Sequence, residues 1–146
     1  MCRKFKSLRV LNVGNIKEQT ILSIEVGKLK ELRYLIGNFL YGPLLIDGLK
    51  KLQTLKYVNI ETWIKIETEK FVNLRDLGLC KGYTNSKDIP ITSFQPLSHC
   101  QRLVDLRIKG KIERLPEDVH EILLNLECLS LKRSQLKEDP IPLWLC

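Results

Sequence analysis

The sequence predicts an α/β solenoid, with a curved parallel β-sheet on the concave face and irregular loops and short helices on the convex face. Three observations favour it. A Leu-x-x-Leu-x-Leu spacing, which fits neither the period of a helix nor that of a plain strand, recurs along the chain. Its copies follow one another at intervals of roughly 19 to 29 residues, as leucine-rich repeats do. Hydrophobic residues make up 44% of the chain and charged residues 28%, which is ordinary for a globular domain.

The motif begins at six positions, and an apolar residue lies three positions before each copy. The copies start at Leu8, Leu32, Leu55, Leu74, Leu103 and Leu126, which predicts strands near 8–13, 32–37, 55–60, 74–79, 103–108 and 126–131. The second copy looks degraded, because Gly37 stands where the third apolar residue belongs. A single repeat cannot bury its own apolar face, so the repeats must stack on one another. We therefore expect residues 1–146 to form one repeat domain, as a fragment of a longer protein.

The candidate binding residues lie between the leucines, because side chains alternate across a strand and these point out of the concave face. In the predicted frame Tyr34 and Tyr57 share a slot, which means that they occupy the same motif position in neighbouring repeats. Their rings could stack merely to stabilise the sheet, which is the commoner role, or could anchor a protein partner. The candidate protein-binding set is Tyr34, Ile36, Tyr57, Asn59, Glu61, Asp76, Asp105, Arg107 and Lys109.

The net charge of +7 and the cysteines bound the function further. The basic residues are spread along the chain, which favours a solvated surface over a nucleic-acid site. Nucleic-acid binding would show as a steep fall of affinity with salt.

Five cysteines without a Cys-x-x-Cys pair indicate reduced thiols in a cytoplasmic protein. No His/Cys spacing suits zinc, and the adjacent His99 and Cys100 side chains point apart, so we expect neither a metal site nor an enzyme.

The repeats depart from the common consensus in one respect. An Asn is expected three residues past the third apolar position, where its amide would link neighbouring turns. None of the six copies has an Asn there, so the turns must be held in another way.

Several segments resemble the repeats of plant intracellular immune receptors of the NLR class. Residues 26–35 (VGKLKELRYL) resemble their GKLxxLRYL step, and residues 110–116 (GKIERLP) resemble their GxIxxLP step. Residues 62–75 (TWIKIETEKFVNLR) are similar to a segment of the coiled-coil branch that includes late-blight-resistance-like proteins, and residues 136–142 (LKEDPIP) resemble the LxxDPMP step of that branch.

The resemblance implies a signalling domain and a nucleotide-binding NB-ARC domain before the repeats, with ADP or ATP expected only there. In this chain Gly27 and Lys28 are followed by Leu29 and lack the earlier glycine of a phosphate loop, so no cofactor is expected here.

The function that follows is a protein-interaction module of a plant disease resistance protein, acting in effector recognition and autoinhibition in the cytoplasm. Its expected partners are a pathogen effector, a guarded host protein or the receptor's own NB-ARC domain, with no transmembrane segment. The alternative is the substrate-recognition repeats of an F-box ubiquitin-ligase adaptor. A phosphate loop or an F-box encoded upstream would discriminate between the two.

Overall fold

The six predicted segments form one parallel sheet, in which each strand is hydrogen-bonded to the next along the chain. The computed structural model describes residues 5–14, 24–40, 46–66, 68–81, 95–112, 115 and 118–134. The strands are β1 (Val10–Asn12), β2 (Tyr34–Leu40), β3 (Thr54–Asn59), β4 (Asp76–Cys80), β5 (Asp105–Lys109) and β6 (Cys128–Lys132).

A continuous column of leucines runs across the inner side of this sheet. The second leucine of every motif is paired in register with that of the next repeat: Leu11, Leu35, Leu55, Leu77, Leu106 and Leu129. The four central leucines of the column are fully buried, whereas the two at the ends are partly buried. Burying each such side chain contributes roughly 1.5–3 kcal/mol, so the column and its neighbours supply the core that a single repeat lacks.

A tight turn leads into every strand. In each repeat the N–H of the first leucine donates to the carbonyl of the residue three positions earlier, across 2.9 to 3.1 Å. The pairs are Leu8 to Phe5, Leu32 to Leu29, Leu52 to Leu49, Leu74 to Phe71, Leu103 to Cys100 and Leu126 to Leu123. The recurrence of one bond at one motif position fixes the frame of all six repeats.

This frame corrects the prediction for the third repeat, which begins at Leu52 and not at Leu55. Leu55 is paired with Leu35 and Leu77 and is therefore the second leucine of its motif. Leu49, Leu52, Leu55 and Val58 follow one another at every third position, so the motif fits this stretch of sequence in more than one frame. The hydrogen bonds between strands select one of them.

Two register shifts supply the third apolar residue of repeats two and three. They lie between Ile36 and Leu40 in β2 and between Leu55 and Val58 in β3. Leu40 is paired with Val58 and, like it, is fully buried. A Cβ atom on Gly37 would overlap the Leu40 side chain, so the glycine leaves the space that Leu40 fills. The expectation of a degraded second repeat is wrong, since its third apolar residue comes three positions later.

Side-chain bridges link neighbouring repeats at the entering turns, at the opposite end of the strands from the missing Asn positions. Each involves the residue just before the first leucine of a motif, which contacts the preceding repeat. The bridges are Lys51 Nζ to both Glu31 carboxylate oxygens (2.6 and 2.8 Å), Asn73 Nδ2 to the Lys50 carbonyl (3.0 Å), Arg102 Nη1 to Asn73 Oδ1 (3.1 Å) and Asn125 Nδ2 to the Gln101 carbonyl (2.7 Å). They join consecutive repeats along the sheet edge at which the strands begin.

The connections between strands hold short helical segments. The helices are α1 (Ile60–Ile64) and α2 (Val119–Ile122), and 3-10 turns cover Ile24–Lys28, Thr68–Lys70 and Gln95–Leu97. Trp63 of α1 is buried and packs on Phe71 with ring centroids 5.9 Å apart. No helix in the described ranges has the length and apolar character that a membrane span requires.

Candidate functional site

The candidate site is the open face of the sheet, formed by residues that alternate with the buried leucines. One row of paired residues lies near the amino ends of the strands, and another near the carboxyl ends of the later strands. The first row is Val10, Tyr34, Thr54, Asp76, Asp105 and Cys128. The second row is Asn59, Cys80, Lys109 and Lys132. Thr54, Asn59 and Cys80 are buried, and the other members of both rows are at least partly exposed. Between these rows the pairing is interrupted at the register shift of β3.

Tyr34 and Tyr57 do not share a slot, contrary to the prediction. Tyr34 is paired with Thr54, and Ile36 with Lys56, whereas Tyr57 lies inside the register shift of β3 without a partner in that register. Two residues lie between Leu55 and Val58, but only one lies between their partners in β4. Tyr57 is therefore left without a partner across the sheet. Tyr34 is 39% exposed and Tyr57 51% exposed, so both rings remain available on this face.

Tyr57 has a left-handed backbone, with φ of 63°. This conformation is uncommon for a residue with a Cβ atom and costs about 1–2 kcal/mol. The strand beside it accommodates the bulge through Gly78, because a Cβ atom there would lie 3.3 Å from the Tyr57 nitrogen and 3.4 Å from the Lys56 Cα. The structure therefore holds a strained, half-exposed aromatic residue at the centre of the open face. Backbone strain of this kind concentrates at functional sites.

Asn59 and Glu61 take other roles than the predicted one. Asn59 is buried and ends β3, and its side-chain oxygen accepts hydrogen bonds from the Glu61 nitrogen (2.8 Å) and the Thr62 nitrogen (3.3 Å). It is thus the N-cap of α1, a position that Asn favours. Glu61 lies in α1, because the strand ends one residue before the helix begins. Both residues were predicted as outward positions of the third repeat because the assumed frame began at Leu55.

Asp76 and Asp105 are directly paired, as predicted, and each carboxylate has its own partner. Thr54 Oγ1 donates to Asp76 Oδ2 across 2.9 Å. Arg107 donates to Asp105 through Nε (3.1 and 3.2 Å) and Nη2 (2.7 Å). These hydrogen bonds from Arg107 raise the pKa of its guanidinium above the ordinary value. The Asp105 carboxylate and the Arg107 guanidinium therefore neutralise each other on the open face.

Lys109 lies at the carboxyl end of β5 and is paired in register with Cys80 on one side and Lys132 on the other. Cys80 brings no compensating charge, because burial raises the pKa of its thiol to about 12. Its sulfur lies 3.5 Å from the Val58 carbonyl, to which the thiol donates. Lys109 is half-buried and Lys132 is exposed. The carboxyl end of the open face is consequently basic.

Sequence reasoning misses Thr54 and Lys56, because the frame that begins at Leu55 leaves both outside its outward positions. The signal that could have found them is the repeat length. Starting the third repeat at Leu52 removes the one interval shorter than the usual repeat range. Within the part of the chain that the structure describes, no three His, Cys, Asp or Glu residues lie close enough to hold a metal ion.

No protein-family model matches the chain. Two curated proteins of Arabidopsis thaliana are similar to it, each at 30% identity: "Disease resistance protein RPP13" over 128 residues and "Putative disease resistance RPP13-like protein 2" over 142 residues. The matches cover 82% and 81% of this chain but only 15% and 16% of the relatives. The resemblance to plant disease resistance proteins is thus confirmed over most of the chain, which spans about a sixth of their length.

Solved structures confirm the fold. An internalin (InlF) from Listeria monocytogenes matches with a TM-score of 0.57 and 17% identity, covering 94% of this chain and 45% of that one. A leucine-rich-repeat protein of Leptospira interrogans matches with a TM-score of 0.56 and 24% identity, covering 94% of this chain and 40% of that one. At these identities the matches report on the fold alone, and that fold is the predicted leucine-rich-repeat solenoid.

Proposed function

Since the chain is a leucine-rich-repeat solenoid whose sequence is similar to that of plant disease resistance proteins, we propose that it is a protein-binding module of such a protein. Its tasks are recognition of a pathogen effector and autoinhibition. The partners on this proposal are the effector, a guarded host protein or the receptor's own nucleotide-binding domain, in the cytoplasm. ADP or ATP belongs to that other domain, and the contribution of this chain is binding without chemistry of its own.

The observation that carries the proposal is the conformation of Tyr57. Its φ of 63° costs free energy, and its side chain is half exposed, so packing within the chain gives little in return. Tyrosine is enriched among the residues that dominate binding energy at protein interfaces, because a rigid amphipathic ring gives large contact area at small entropic cost. Val10 on β1 and Tyr34 and Ile36 on β2 extend the apolar part of the same face.

If one face serves both autoinhibition and effector recognition, the receptor must shift between a resting and an activated state. A resting receptor would hold its own domain against this face, and an effector or modified host protein would bind better to the other state. A ligand shifts such an equilibrium only by its differential affinity for the two states. Contacts at Tyr34 and Tyr57 would therefore have to differ between the resting and the activated receptor.

The test is substitution of the exposed aromatic residues in the plant gene that encodes this chain. Tyr34→Ala with Tyr57→Ala is compared with Val72→Ala with Leu124→Ala, which removes exposed apolar side chains from the entering turns. The readouts are spontaneous cell death in uninfected leaves, which reports loss of autoinhibition, and resistance to a panel of pathogen isolates. We expect the tyrosine pair to change at least one readout and the control pair to change neither.

Protein abundance and thermal unfolding separate a binding defect from a folding defect. The proposal fails if the tyrosine variant accumulates and unfolds like the wild type while cell death and resistance both remain unchanged.

A further inference from the structure

The basic end of the open face contains two like charges in direct register. Lys109 and Lys132 are paired across β5 and β6, whose backbones lie roughly 4.8 Å apart in a sheet. Like charges directly opposite each other on one face destabilise a sheet. Among the described residues, neither ammonium group is in an ion pair. Within the described part of the chain, two cations therefore lie side by side with no carboxylate bound to either.

Other basic residues of the described chain do bind carboxylates. Two residues toward the amino end of β5, Arg107 is matched by Asp105 in a two-pronged ion pair. At the entering turns Lys51 contacts both oxygens of Glu31. The neutral Cys80 thiol beside Lys109 shows that the remaining neighbour in this row supplies no anion either. Among the described residues, no carboxylate is therefore bound to either lysine at the carboxyl end of the open face.

We infer that Lys109 and Lys132 bind an acidic segment of a partner protein, whose carboxylates supply the missing counter-charge. This inference rests on the proposed function and specifies the chemistry of the partner. Two carboxylates about 5–6 Å apart, as on a helix with glutamates four positions apart, match the separation of the two strands. Apolar side chains of the same segment would then contact Ile36 and Tyr57 on the earlier strands.

A protein segment fits this face better than a nucleic acid or a lipid surface. Asp76 and Asp105 lie in the row at the amino ends of β4 and β5, so an extended polyanion laid along these strands would meet carboxylates. A short acidic segment can place its charges on the lysines and avoid that row.

The experiment measures binding of a fluorescein-labelled helical peptide, with glutamates four positions apart and a single leucine, to the full chain by fluorescence anisotropy. The same peptide with glutamine in place of glutamate is the ligand control. The protein variants are Lys109→Gln with Lys132→Gln, and Lys30→Gln with Lys50→Gln. The second pair lowers the net charge equally but lies on exposed entering turns.

We expect the glutamate peptide to bind the wild type, the first variant to weaken binding about tenfold and the second to change it less than about twofold. Equal weakening by both variants, or no binding to the wild type, overturns the inference. An oligonucleotide or a phosphatidylserine vesicle that binds more tightly, with the same dependence on Lys109 and Lys132, overturns the assignment to a protein segment.

Thermal unfolding of the variants distinguishes recognition from a structural role. Removing one of two repelling charges should leave the midpoint of Lys132→Gln at or above that of the wild type, while peptide binding falls. A lower midpoint would mean that the lysines support the fold. If the lysine pair leaves resistance and cell death unchanged while the tyrosine pair alters them, this inference fails and the proposed function stands.

Discussion

The main-chain nitrogen of Tyr57 lies 3.3 Å from the position that a Cβ atom on Gly78 would occupy. The two residues belong to neighbouring strands, and the absence of a side chain at Gly78 eases the close approach of the bulge at Tyr57. Tyr57 reaches this position through a left-handed backbone that glycine adopts at no steric cost. The sheet therefore carries strain at the residue that we propose as its main binding contact.

This strain predicts an order of stability at position 57. Tyr57→Gly and Tyr57→Ala both remove the exposed ring, but only alanine keeps a Cβ atom in the left-handed conformation. We expect the free energy of unfolding in urea to be about 1 kcal/mol higher for the glycine variant than for the alanine variant. The opposite order would mean that the bulge does not hold a left-handed residue in solution.

A second prediction concerns the space that Gly37 leaves for Leu40. Gly37→Ala adds a methyl group where the buried Leu40 side chain lies, and we expect it to lower the free energy of unfolding by about 1–3 kcal/mol. Leu40→Ala should cost about 2–5 kcal/mol through the cavity that it leaves. The double variant should lose less free energy of unfolding than the two single variants lose in sum, because alanine at position 40 removes the overlap.

Urea unfolding of the two single variants and the double variant measures this coupling. Simple additivity would indicate that the two side chains do not meet, and that another residue completes the second repeat.

The ion pair of Glu31 and Lys51 predicts a pH dependence of stability. The hydrogen bond from Lys51 holds the pKa of the Glu31 carboxyl below its ordinary value of 4.5. A lowered pKa in the folded state stabilises the protein above the unfolded value, and this contribution is lost as the pH falls through the folded value. The coupling of Glu31→Gln and Lys51→Gln in a double-mutant cycle should therefore be favourable at neutral pH and disappear in acid.

Both side chains are substantially exposed, so salt should also weaken the coupling. A coupling that is unchanged from neutral pH to below the lowered pKa would show that the pair does not form in solution.

Thiol reactivity gives a fourth prediction. Burial raises the pKa of Cys80 and of Cys100 to about 12, so at pH 8 only about one in ten thousand of either thiol is ionised. Cys128 is exposed on the open face. Iodoacetamide at pH 8 should therefore modify Cys128 in the native protein and modify Cys80 and Cys100 only after unfolding, as read from peptide masses.

Urea-unfolded protein is the control, since all three thiols should then react at similar rates. Modification of native Cys80 as fast as that of Cys128 would contradict the packing of β4 against the core.

The candidate site could be predicted from the sequence only where the strands are regular. Asp76, Asp105, Arg107 and Lys109 take their predicted slots because β4 and β5 follow the repeat without insertion. Tyr57, Asn59 and Glu61 do not, because the extra residue in β3 shifts every later side chain and a helix begins at Ile60. Whether these residues bind a partner stays a prediction.

The sequence by itself determined the repeating fold, because one repeat cannot bury its own leucines and stacking in register with its neighbours removes them from water. Repeat length also favours Leu52 as the start of the third repeat. Only the tertiary structure decided where the third apolar residues of repeats two and three lie. Apolar residues stand at every third position here: Leu49, Leu52, Leu55 and Val58. The local hydrophobic pattern therefore fits the alternative frames equally well. The hydrogen bonds of β3 to the strands on both sides fix the frame and place the extra residue between Leu55 and Val58, and those bonds join residues about twenty positions apart.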